Sequence, residues 1–327
     1  MGKHDVPINI WLSDKERFAD LYNGAICNGE TFFQAEDLTK LDTKQNLTLK
    51  DQNNKDIHIQ RFRDITMQAA DGTRLILLAC ENQDKIHYAM PVREMLYDSL
   101  DYIEQMKNIS KKNRIEKNYH NSTEFLSGFT KSDRLSPIIP LVFYYGDEEW
   151  NTNQDLHSLL DLSPETLERF KEYIPNYKIN LIDARELAEK NCLHTDLQQI
   201  LGMLKYKKDK VNLLNYIHEN QTYFENLDED SYYAAKAFLG TDVQLKNPDH
   251  KGGTVDMCKA LDDFYQDGVN EGVEQGLKQG IERGIEQSED CYRRLILKLS
   301  EDHKTELIIQ TAHDPELLHR LYKEYNI

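Results

Sequence analysis

A chain of 327 residues, 30% charged and 39% hydrophobic, has enough apolar material for a sizeable core; this excludes a disordered chain and leaves one large domain or two. Its formal net charge of −17 excludes a nucleic-acid coat or basic chromatin protein, but not an enzyme that meets nucleic acid through a local basic patch. Five scattered cysteines without CxxC spacing (Cys27, Cys80, Cys192, Cys258, Cys291) read as reduced thiols rather than a disulfide framework or zinc site. With no apolar signal core near Met1 and no run of about 18 apolar residues, a cytoplasmic protein without membrane contact is expected.

Ser13-Asp14 followed by Glu16 is a capping-box pattern, and Phe18, Leu21 and Tyr22 supply the apolar face of a helix over 13–24. Asp20 lies on another side of that helix from Tyr22, either as a solvated carboxylate or as a third acid of a metal site. Residues 35–56 are polar, with a short strand at Leu47–Leu49 and a turn around Asp51, Asn53 and Asn54.

The stretch from Arg61 to Arg93 organises the rest. Asp71-Gly72 between two strand runs signals a hairpin. With a two-residue Asp71-Gly72 loop, Ala70 faces Thr73, Ile65 faces Leu78 and Met67 faces Ile76. Asp64 then faces Ala79, Glu81 becomes its diagonal neighbour at a backbone distance of about 7–8 Å, and Gln83 shares that face. A three-residue turn would put Glu81 on the other face. Leu75–Ala79 is apolar on both faces and is expected to be a central strand covered by helices.

Residues 89–112 form the clearest long helix. Pro91 suits its first turn, and Met95, Leu96, Leu100, Ile103 and Met106 recur at helical spacing as its apolar face. Arg93 and Tyr97, four apart, share a side near the N-terminus, where Arg93 serves as a phosphate clamp or as a salt-bridge partner of Glu94 or Asp98. Lys107, Lys111, Lys112, Arg114 and Lys117 against Glu116 read as the densest basic patch, a solvated helix end or a nucleic-acid contact.

Residues 137–150 and 176–183 read as further strands, with a helix over 155–172 between them. Beyond Ala184 only helices are expected, at about 196–207, 210–225, 230–240, 255–298, 302–312 and 314–325. Glycine recurs at 268, 272, 276, 280 and 284, each followed by Val, Leu or Ile. Because glycine inside a helix costs roughly 0.5–1 kcal/mol relative to alanine, the repeat reads as a surface for close helix pairing and self-association within 266–290, or else as a loosely helical linker. The division expected is 1–190, 191–254 as a helical extension, and 255–327 as a helical tail.

Asp64, Glu81 and Gln83 carry the candidate chemistry. Two carboxylates with carbonyl and water oxygens suit Mg²⁺, which lowers the pKa of a bound water and stabilises charge on a phosphoryl oxygen. The segments RFRDITMQ, LILLACENQ, YAMPVREMLYDSLDY and PIIPLVFYYGDEEW, followed by the glycine-rich tail, together resemble the Rpn family of recombination-promoting nucleases. That family, also described as YhgA-like putative transposases, belongs to the PD-(D/E)XK nuclease superfamily. The resemblance covers roughly 15–185 and extends through the tail to about 290. It implies an α/β fold with a PD-(D/E)XK-like central mixed sheet flanked by helices, here followed by an all-helical C-terminal region.

The activity implied by the resemblance is DNA endonuclease cleavage dependent on Mg²⁺, with Mn²⁺ as a substitute. It assigns Asp64 and Glu81 as catalytic metal ligands and Gln83 as the catalytic residue standing where the wider superfamily has lysine. Asp20 matches a further metal-site acid, with Glu16 as competitor. Arg93 and Tyr97 match the polar face of the helix after the active-site strand, and with Lys107, Lys111 and Lys112 they form the expected DNA contacts. A neutral Gln83 orients water or substrate but does not supply the charge of lysine. The competing reading is a non-catalytic interaction protein that keeps the nuclease scaffold.

Overall fold

The computed structural model describes residues 5–41, 44–50, 56–62, 64–80, 87–240 and 253–327. The chain divides into two compact units, Met1–Ala260 and Leu261–Ile327. Among the described residues no helix is long and apolar enough to cross a membrane.

The first unit opens with α1 (Asp5–Trp11), which the sequence reading did not anticipate, and α2 (Lys15–Ile26). The N-cap of α2 is Asp14 rather than Ser13: its carboxylate accepts the amides of Glu16 and Arg17, while Ser13 Oγ donates back to the Asn9 carbonyl. Five strands then build a mixed sheet: β1 (Thr39–Lys40), β4 (Ile65–Gln68), β5 (Arg74–Cys80), β6 (Ile138–Tyr144) and β7 (Leu181–Asp183), side by side in that order. β1–β4 and β4–β5 pair antiparallel, β5–β6 and β6–β7 parallel. β5 is therefore central, as its apolar run predicts. β2 (Lys44–Lys50) and β3 (Asp56–Phe62) form a separate two-stranded hairpin, so the run leading to Arg61 is not part of the main sheet.

The crossover from β5 to β6 contains α3 (Met90–Glu116) and the short α4 (Ser122–Ser127). Contrary to the apolar periodicity, Leu96 and Met106 on α3 are exposed, and the buried positions include Glu94, Asp98, Asp101 and Gln105. These polar groups have inward partners. Tyr177 donates to Asp98, Arg74 reaches Asp101, and Gln105 exchanges hydrogen bonds with the backbone of Ser136. A buried carboxylate is tolerated only when it is paired or hydrogen-bonded, so α3 is fixed in place by polar registry as well as by Met90 and Leu100.

After β6 come α5 (Pro164–Phe170), β7, α6 (Ala184–Glu189), α7 (Leu197–Gly202), α8 (Lys210–Glu219), α9 (Gln221–Phe224) and α10 (Glu229–Leu239). These later helices pack on the N-terminal pair. Trp11 and Tyr145 both meet the ring of Phe238 edge-on. Arg17 forks onto Asp196 at 2.8 and 2.9 Å and also reaches Asp228 at 2.8 Å. Tyr223 and Ser231 donate to Asp196, and Trp11 Nε1 donates to Ser231. Burial opposes the charge on Arg17, but the hydrogen bonds and charges of Asp196 and Asp228 more than compensate and raise its pKa above the ordinary value.

The second unit contains most of α11 (Met257–Glu301), with α12 (Thr305–Thr311) and α13 (Pro315–Tyr325). Leu295, Leu299 and Leu321 form its small core. α11 is continuous through all five repeat glycines.

Candidate functional site at the carboxyl edge of the sheet

The β4–β5 register corrects the expected hairpin. Ile65 faces Leu77, Thr66 faces Ile76, Met67 faces Leu75 and Gln68 faces Arg74. The loop is Ala70-Asp71-Gly72, closed by the Ala69 amide on the Thr73 carbonyl and the Gly72 amide on the Ala69 carbonyl, each at 2.9 Å. Two features select the three-residue loop over the two-residue one. The Asp71 carboxylate accepts both the amide and the hydroxyl of Thr73, and Gly72 takes the left-handed φ of +90° that closes a type I turn into a bulge. A one-residue slip exchanges the two faces of a strand, so the argument that alternation alone puts Asp64 and Glu81 on one face falls away.

What the register keeps is the shared edge. β4 starts at Ile65 and β5, antiparallel to it, ends at Cys80, so Asp64 immediately precedes one strand and Glu81 immediately follows the other. Asp64 lies in a bend, half-buried, outside the β4 ladder whose alternation would set its direction. Glu81 and Gln83 lie outside the described residues. Parallel pairing puts Tyr144 of β6 level with Cys80, so this is also the edge where β5, β6 and β7 end. In open α/β sheets, ligands bind beyond the carboxyl ends of the strands.

The N-terminus of α3 arrives at the same edge. Met90 packs with Val142, Tyr144, Trp150 and Ile179. The Arg93 guanidinium carbon stands 5.5 Å from the centre of the Tyr97 ring, so the pair is a cation–π contact. Arg93 Nε is buried and meets no hydrogen-bond acceptor among the described residues. Tyr144 braces the following loop: its hydroxyl donates to the Glu148 carbonyl at 2.6 Å, and a Cβ on Gly146 would lie 2.5 Å from that hydroxyl oxygen. Only glycine fits there without displacing a fully buried ring.

Other expected site residues stand elsewhere. Lys107, Lys111 and Lys112 are exposed on α3, but 17 to 22 residues beyond Met90, which at 1.5 Å per residue is about 25–33 Å along the helix axis. Asp20 is 5% exposed. Its carboxylate accepts the His194 amide, the Thr195 amide at 2.7 Å and the Thr195 hydroxyl at 2.6 Å. These bonds account for its burial: Asp20 clamps the loop before α7 onto α2. Among the described residues no group of three or more His, Cys, Asp or Glu gathers to hold an ion.

Sequence reading passed over a second basic run. Lys205, Lys207 and Lys208 follow α7 and, with Arg185, border the loop Tyr145-Gly146-Asp147 just beyond β6. Four lysines among the six residues 205–210 form a denser run than the five cations spread over 107–118.

Residues 87–232 match the family described as Putative transposase, YhgA-like. The match takes in α3, β6, β7 and the helices through the start of α10, and begins after Asp64, Glu81 and Gln83. Neither the curated proteins nor the solved structures give a match.

Proposed function

On the match of residues 87–232 to the family of YhgA-like putative transposases, we propose that the chain is a divalent-metal-dependent DNA endonuclease of the PD-(D/E)XK kind, acting in recombination. The observation that carries the reading is that Asp64 stands in the bend directly before β4, at the edge of the mixed sheet where β5 ends at Cys80, the residue that Glu81 follows in the sequence. A central mixed sheet flanked by helices is the fold that the resemblance implies. Asp64 is a hard oxygen donor in a half-buried bend, which suits Mg²⁺ or Mn²⁺.

Asp64 and Glu81 would hold the ion, which when bound stabilises charge on a phosphoryl oxygen and lowers the pKa of water. Gln83 orients the attacking water through its amide. Arg93, pinned over Tyr97 at the N-terminus of α3, supplies a cation for a phosphate at this edge. Calorimetric titration with Mn²⁺ tests the donor set apart from turnover. Saturable binding that Asp64→Ala removes supports it, and binding unchanged in Asp64→Ala removes Asp64 from it.

A second reading, an interaction protein that assembles with copies of itself, is favoured by α11. Val269, Val273, Leu277, Ile281 and Ile285 are all exposed, 63% for Leu277. The glycine row 268–284 beside them has open space where side chains would stand. A ridge of apolar side chains next to a groove of glycines is self-complementary: a second α11 related by a two-fold axis places its ridge in this groove. The two readings are compatible in one protein. Sedimentation with and without residues 266–290 tests the second.

A further inference from the structure

Beyond β6, Tyr145, Gly146, Asp147, Arg185, Leu204, Lys205, Lys207 and Lys208 enclose a cleft of about 90 Å³. Four of the eight are cations and one is an acid, in a chain whose net charge is −17. The cleft is well below the roughly 300 Å³ at which pockets for drug-sized ligands begin, and is sized for a compact group.

Three of the four cations are held in place. Arg185 is gripped by Asp183 through Nε and Nη2 and reaches toward the Glu148 carbonyl. Lys207, only 13% exposed, bridges to Asp147 at 3.0 Å, and Lys205 bridges to Glu189 at 2.8 Å. Lys208 has no carboxylate among the described residues; its ammonium contacts the Asp147 carbonyl at 3.4 Å. Asp183, Glu189 and Asp147 each offset one of the four cations, so the cluster keeps a net positive charge through Lys208. Tyr145 and Leu204 add apolar surface, which strengthens an ion contact relative to open water.

The structure assigns this cleft, we propose, as a binding site for a phosphate of a polynucleotide backbone. A fixed cluster of lysine and arginine on a small, partly apolar cleft recognises a compact anion, and the location selects the polymer as its source. The cleft opens at the carboxyl edge where β6 ends one residue before Tyr145, next to the β5 edge that precedes Glu81. It thereby takes over the role expected of Lys107, Lys111 and Lys112. The choice of DNA as polymer rests on the endonuclease reading; the anion site itself does not.

The test is fluorescence anisotropy of a labelled DNA duplex with the full chain in EDTA, across a range of KCl concentrations. Each phosphate contact contributes about 0.9 to the slope of log affinity against log salt. Lys205→Ala/Lys208→Ala removes that one phosphate contact and is expected to weaken binding and lower the slope by about 0.9. Lys205→Arg/Lys208→Arg keeps both charges and is expected to bind as wild type, which separates lost charge from lost folding.

An unchanged slope in the alanine variant overturns the proposal, as does a wild-type protein with no salt-dependent DNA binding. Saturable binding of inorganic phosphate that the alanine variant loses, with DNA affinity unchanged, reassigns the cleft to a free anion and overturns it too. The readings separate cleanly. If Asp64→Ala cuts DNA normally while the alanine variant loses binding, the catalytic assignment fails and the cleft stands. A dead Asp64→Ala beside full binding by the cleft variant gives the reverse.

Discussion

Gln68 faces Arg74 across the β4–β5 hairpin, and one step nearer the turn the Ala69 amide donates to the Thr73 carbonyl at 2.9 Å. This pairing sets the three-residue loop, and the loop sets which residues of the two strands share a face. Gly72 is its conformational key. At φ +90°, with Ser136 Oγ 3.0 Å from a Cβ, an alanine is both strained and crowded. Gly72→Ala is expected to lose about 1–3 kcal/mol of stability in urea unfolding, and Gly72→Asn less, because asparagine tolerates the left-handed region.

Asp20 is expected to matter for folding rather than for ion binding. Asp20→Ala leaves the His194 and Thr195 amides without their acceptor, at a cost of about 2–3 kcal/mol. The thermal midpoint should fall while Mn²⁺ affinity stays at the wild-type value. A loss of Mn²⁺ binding in a folded Asp20→Ala protein would return this carboxylate to the metal site.

The network around Arg17 makes stability depend on acid. Burial pushes the Asp228 carboxyl up, but hydrogen bonds from Ser231 and the charge of Arg17 outweigh it and hold its pKa below the usual value. A folded pKa below the unfolded one stabilises the protein above about pH 4. That contribution fades as the pH falls from there through the folded-state pKa. Asp228→Asn should therefore flatten the acid limb of a stability–pH profile. Arg17→Ala, which leaves Asp196 at 16% exposure without its guanidinium, should cost about 3 kcal/mol at neutral pH.

For α11 the two readouts should move in opposite directions. Replacing Gly272, Gly276 and Gly280 with alanine adds helix propensity, about 0.5–1 kcal/mol per site, and among the described residues meets no neighbouring atom within 4 Å. Helicity and the melting of the tail should rise. Self-association measured by sedimentation should fall, because the new methyl groups fill the groove that a second copy needs. Association unchanged or strengthened by these alanines would remove the glycine groove from the contact.

Much of the fold was legible where local chemistry and tertiary packing agree. Pro91 at the start of α3 and the apolar run of β5 appear as read, a hairpin forms at Asp71-Gly72 though in another register, and the second half of the chain is helical at the positions expected. Reading failed where a tertiary partner decides. The apolar repeat on α3 placed Leu100 inside but misplaced Leu96 and Met106, because Tyr177, Arg74 and Ser136, remote in sequence, pair with the polar side of the helix. The turn was off by one residue because Asp71 bonds to Thr73, a local contact that the dipeptide pattern does not reveal. Asp64, read from the hairpin register as the residue opposite Ala79, stands instead in the bend before β4, and the cleft of Arg185 and Lys205–Lys208 was missed because its parts come from separate segments. The run of lysines at 205–210 was the one signal that could have found it.

The central claim is that Asp64 belongs to a nuclease site at the carboxyl edge of the sheet. The direct measurement is nicking of supercoiled plasmid by wild type and Asp64→Ala, purified side by side, in Mg²⁺ or Mn²⁺ and in EDTA. The account predicts metal-dependent nicking by wild type and a loss of about 100-fold or more in Asp64→Ala, the scale set by losing transition-state charge stabilisation. Nicking by Asp64→Ala at the wild-type rate would contradict it.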